Sequence, residues 1–66
     1  MRQMSTADAR RAQSIGRRIT DARRAGDRDK ELRYRKLAKA MIEEFGPKAQ
    51  REIGSGRRDQ LRRTRR

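Results

Sequence analysis

The feature that most limits what this chain can become is the Gly26-Asp27 pair, which interrupts a proline-free, helix-favouring run between Thr6 and Phe45. Glycine favours the position just past a helix C-terminus and aspartate is a good N-cap, so the pair closes one helix and opens the next. Connections this short make antiparallel neighbours. The spacing predicts an all-α fold built on an antiparallel helical hairpin, with helices over about 6–25 and 28–45.

Ser5-Thr6-Ala7-Asp8 supplies the start of the first helix: a hydroxyl for the unpaired N–H groups and a carboxylate where the helix dipole favours negative charge. Residues 1–5 lack periodicity and are expected to be a disordered N-terminus. At 100° per residue Ala12, Ile15, Ile19 and Ala22 form a narrow apolar stripe with Ala9 and Gly16 beside it. Ala12 and Gly16, both small and four apart, would let another helix come close. On the other side Arg10, Arg17 and Arg24 recur every seven residues as one ridge, with Gln13 and Thr20 between them and Arg11 and Arg18 flanking the apolar side. Asp8 and Asp21 cannot neutralise these arginines, so the ridge is expected to meet phosphates, and Gln13 and Thr20 are its only non-ionic groups able to read a base edge. The pentapeptide Asp-Ala-Arg-Arg-Ala occurs at 8–12 and again at 21–25, but a thirteen-residue offset turns the copies to different faces, so the repeat is compositional.

The second helix carries most of the larger apolar residues. Tyr34, Leu37, Ala38, Met41 and Phe45 share one face with Ile42 at its edge, while Leu32 falls on the charged side with Lys36, Lys39 and Glu43. Together with Ile15 and Ile19, the residues Tyr34, Leu37, Met41, Ile42 and Phe45 are the expected surface for an oligomer or partner. Gly46-Pro47 stops this helix. Beyond it a short third helix is expected over 47–53, with Ala49 and Ile53 folding back. Gly54-Ser55-Gly56 reads as a linker into a flexible Arg-rich tail over 54–66, whose Arg57, Arg58, Arg62, Arg63, Arg65 and Arg66 join the expected nucleic-acid contacts. The helical domain is therefore placed at 6–53.

A two-helix unit has few large apolar side chains to set against the loss of chain freedom, so pairing of two copies into a helical bundle is expected. The charge decides the class of ligand. Lys and Arg number 21 against 9 Asp and Glu, a net +12, which attracts phosphate polymers. Cysteine and histidine are absent. Their absence removes disulfides, the usual zinc ligands and the commonest general base, so neither a metal, a cofactor nor an enzyme is expected. Glu43 and Glu44 are adjacent and point in different directions on a helix. No apolar run is long enough for a leader or a membrane span, so a cytoplasmic protein is expected.

These features point to a small basic accessory protein that binds nucleic acid, DNA in preference to RNA because one tyrosine and one phenylalanine are too few to stack unpaired bases. The alternative is a protein-interaction module, such as an inhibitor, antitoxin or assembly factor, docking on an acidic protein. Membrane-surface binding fits less well, since the most amphipathic helix is nearly neutral.

Overall fold

A computed structural model of the chain describes residues 2–63, which form three α-helices: α1 over Thr6–Arg24, α2 over Arg28–Phe45 and α3 over Pro47–Arg63. Each boundary has a local cause. Ser5 caps α1 through a reciprocal box, its Oγ accepting from the Asp8 N–H and its own N–H donating to Asp8 Oδ2, both at 3.1 Å. Asp27 caps α2 by accepting from the Lys30 N–H at 3.1 Å. Gly26 turns the chain with φ of 71°. Gly46 is the whole connection between α2 and α3, and its φ of 80° and ψ of −153° belong to a region essentially reserved for glycine. Pro47 then opens α3, where a missing N–H costs nothing.

Contacts along α1 and α2 run in opposite chain order: Arg2, just before α1, meets Glu44, and Arg18 meets Tyr34. Contacts along α1 and α3 run in the same order, Gln13 with Glu52, Arg17 with Asp59 and Asp21 with Gln60. The most extensive packing in the molecule is between α1 and α3. The core gathers Ala12, Ile15 and Ile19 from α1, Ala38, Met41 and Phe45 from α2, and Ala49 and Ile53 from α3, with Met4, Tyr34 and Ile42 against its edge.

Two expectations change. The third helix does not stop at Ile53, and residues 54–63 are helical rather than a flexible tail. The reason is the glycine read as part of a linker. Gly56 is buried against the Gln13 backbone, and Gly16 opposite it is buried against Ile53. A β-carbon on Gly16 would run into the Ile53 carbonyl oxygen, and one on Gly56 into that of Gln13. Two backbones thus meet where side chains would hold them apart, and this packing outweighs the roughly 1 kcal/mol that each glycine costs a helix. Residues 2–5 are also not loose: the Arg2 N–H donates to the Glu44 carbonyl at 3.0 Å and Met4 packs on the core. The apolar stripe of α1 is also covered by α3 from within the same chain.

The two buried and half-buried glycines of α3 should respond oppositely to alanine. Gly56→Ala forces the helices apart and should lower unfolding free energy by about 1–3 kcal/mol. Gly54→Ala meets only the Arg58 side chain, at 3.7 Å, and should raise it by about 0.5–1 kcal/mol through helix propensity and reduced chain freedom. Urea denaturation of both variants measures the difference.

The α1 cap makes acid sensitivity testable. Hydrogen bonding with Ser5, its backbone N–H first, holds the Asp8 carboxyl below its ordinary range, with smaller help from Arg2 and Arg11. A carboxylate lowered on folding contributes stability above its unfolded pKa and loses it as pH falls through the folded one. Wild type should melt higher than Asp8→Asn above about pH 5, and the two curves should converge in acid.

Candidate nucleic-acid interface

Arginine-rich helices become an interface only where their acids are engaged elsewhere, and α3 shows how. Its acidic residues among 47–63 are Glu52 and Asp59, and both turn toward α1. Glu52 Oε2 accepts from Gln13 Nε2 at 2.7 Å, while Asp59 lies 3.6 Å from Arg17 and 3.4 Å from Arg63. The opposite side of α3 carries Lys48, Arg51, Arg58 and Arg62, all exposed, with half-buried Ser55 in the same row. Positions 51, 55, 58 and 62 follow the i, i+4, i+7, i+11 order of a single helical stripe. At 1.5 Å per residue the row from Lys48 to Arg62 is about 21 Å long. Among the described residues no ion pair engages these four cations.

The same packing reaches part of the ridge expected on α1. Arg10 and Arg24 are exposed, but Arg17 is half-buried beside Asp59. Thr20 is buried, with 6% of its surface accessible, and Gln13 is bonded to Glu52, so neither stands outward between the arginines. Arg11 and Arg18 are exposed on the side toward α2. In α3, Arg57 is half-buried while Arg58, Arg62 and Arg63 are exposed. Arg65 and Arg66 lie outside the described residues. Arg17, Gln13 and Thr20 are drawn out of the outward row because the helix that α1's small stripe admits is α3, which also covers the Gln13 and Thr20 flank.

The residues expected to face a partner are mostly inside the chain. Ile15, Ile19, Met41 and Phe45 are buried core, and Tyr34 and Ile42 are half-buried against them. Leu37 departs from that group, with 45% of its surface accessible, and Leu32 and Leu61 are also exposed. Tyr34 is held by Arg18, whose Nη1 donates to the phenol oxygen at 3.1 Å and whose guanidinium carbon lies 5.7 Å from the ring centroid. That hydrogen bond, followed by the charges of Arg18, Lys30 and Arg33, holds the phenol below its usual pKa against the opposing effect of desolvation. Lys48 and Arg51 escaped the sequence reading because the tail was cut from the helix at Gly54; continued through the glycines, the 51-58-62 spacing announces the stripe.

Among the described residues no helix is long and apolar enough to cross a membrane, and no cluster of three metal-ligating side chains occurs. Comparison with protein-family models, curated proteins and solved structures gives no match for this chain.

Tyr34 is the chain's single tyrosine, so its ionisation can be followed cleanly. Arg18→Ala removes the donor and the nearest positive charge, and the phenol pKa should rise. Ultraviolet titration of the phenolate measures the change, and an unaltered curve would show that Arg18 does not hold the ring.

Proposed function

We propose that the protein binds double-stranded nucleic acid, DNA in preference to RNA, through phosphate contacts made by the outward side of α3, and does so without reading base sequence. The observation that carries this reading is the row Lys48, Arg51, Arg58 and Arg62, exposed on one side of a helix whose acids both face α1. Four cations along about 21 Å of rod meet a duplex that presents one phosphate charge per roughly 1.7 Å of axis. Exposed Arg10 on α1 adds to the same attraction.

Indifference to sequence follows from where the polar groups went. Gln13 and Thr20, the non-ionic groups expected to read base edges, are engaged or buried and do not stand among the cations. Preference for a duplex follows from the aromatics: Phe45 is buried and Tyr34 is committed to Arg18, which leaves no platform for splayed bases. A helix about 10–12 Å across also suits the B-form major groove, about 12 Å wide, better than the narrow one of A-form RNA. In this reading the protein is a cytoplasmic accessory factor and not an enzyme.

Binding of a labelled duplex at several salt concentrations tests it. With about five phosphates engaged, log K should fall against log salt with a slope near −4 to −5. Replacing Arg51, Arg58 and Arg62 together by alanine should reduce the slope's magnitude by about 2–3 and weaken AT-rich and GC-rich duplexes alike. A slope near zero for the wild type would remove the proposal.

A further inference from the structure

Ser55 stands in the middle of the cationic row on α3, four residues after Arg51 and three before Arg58. Those are the spacings at which side chains of one helix meet. Gly54 beside it brings no side chain of its own, and Arg58 uses the room: its Nη1 lies 3.7 Å from where a β-carbon on Gly54 would stand, so the guanidinium folds back along the helix to the turn that holds Ser55. The other two serines of the chain are placed elsewhere. Ser5 Oγ is taken by the α1 cap, and Ser14 lines the grooves on the α2 side of α1.

A row that holds its ligand by charge is most exposed to an opposite charge set in its middle. A phosphate on Ser55 Oγ would bring about −1.5 to −2 near neutral pH, with three acceptor oxygens. Its neighbours decide where it points. Glu52 and Asp59, three residues before Ser55 and four after, face the α1 seam and repel it, while Arg51 and Arg58 attract it from the outer side. The phosphate therefore turns outward and takes both guanidiniums in charge-assisted hydrogen bonds. It cancels about half of the row's charge. Lys48 and Arg62, about 21 Å apart, are what remains for a duplex.

We propose that Ser55 is a phosphorylation site and that its phosphate releases the nucleic acid held by the row, an inference that rests on the nucleic-acid reading above. The donor is a nucleoside triphosphate and the catalyst a separate protein kinase. Ser55 Oγ attacks the γ-phosphorus, the new O–P bond forms as the β–γ anhydride bond breaks, the diphosphate leaves with the electron pair, and the hydroxyl proton passes to a base of the kinase. Arg51, Arg57 and Arg58 around the serine suit a kinase whose own cleft is acidic. Nucleic acid lying on the row covers the hydroxyl, so the free protein is the substrate and the bound protein is shielded.

The test compares the full chain carrying phosphoserine at position 55, made by chemical ligation, with the unmodified chain on one labelled duplex over a range of salt. Loss of about two phosphate contacts should cut the slope's magnitude by about 2 and weaken binding about 50-fold near about 0.1 M salt, and a phosphatase should restore both. Because Ser55 is half-buried, the companion variants are Ser55→Glu and Ser55→Gln, alike in shape and one charge apart, with circular dichroism checking the fold of every form. The Glu variant should bind about eightfold more weakly than the Gln variant. A third arm incubates the unmodified chain with ATP and a kinase selective for arginine-flanked serines. Mass spectrometry should place the phosphate on Ser55, and added duplex should slow its arrival. Equal binding by the Glu and Gln variants, or no phosphate on Ser55 in the free chain, would overturn the proposal. A steep salt response left unchanged by the phosphate would remove this proposal alone, whereas a flat response of the unmodified chain would remove the parent reading.

Discussion

The close approach of α1 and α3 at Gly16 and Gly56 is the constraint from which most of the molecule follows. Backbone packed on backbone at these two positions fixes both the separation of the helices and the rotation of α3 about its axis. Rotation matters more. Once Gly56 faces Gln13, helical periodicity dictates that Glu52 and Asp59 lie toward α1 and that Arg51, Arg58 and Arg62 lie away from it. A protein with no large side chain fully buried among the described residues depends on such intimate contact, since dispersion falls steeply with even a small gap.

A chain carrying +12 works against its own compaction, and its few carboxylates have to be placed with care. They sit at joints. Asp8 and Asp27 cap helices, Glu44 receives Arg2, Asp21 receives Gln60, and Glu52 and Asp59 line the α1–α3 seam. The ion pairs themselves are partly exposed and contribute little stability individually. Their larger effect is on distribution. On α1 and α3 negative charge is drawn into the cap and the seam, and the outer side of α3 is left cationic by subtraction.

Much of this architecture was legible in the sequence where local chemistry governs. The caps at Ser5 and Asp27, the breaks at Gly26 and Gly46, and the apolar stripes of α1 and α2 are all short-range signals, and the all-helical class follows from them. What was not legible depended on distant partners. Gly54-Ser55-Gly56 reads as a linker because glycine disfavours helices, and only the Gln13 backbone, some forty residues earlier, explains why the helix runs through. Burial of Thr20 and capture of Gln13 follow from the same event, so one misread glycine displaced the candidate site from α1 to α3. Periodicity had placed Leu37 with the core, yet it lies at the margin of the apolar face and remains exposed.

Gly46 joins α2 to α3 through a single residue held in a conformation that other amino acids avoid, with a proline directly after it. Such a joint leaves little freedom to pivot, so the outer row of α3 cannot swing while the core stays put. Whatever grips that row grips the whole domain. A polyanion bound there as proposed would act as a scaffold for the native chain as well as its ligand, because any species bound by the folded form alone draws the folding equilibrium toward itself by mass action. In so small a domain, occupancy and integrity become one quantity seen from two sides.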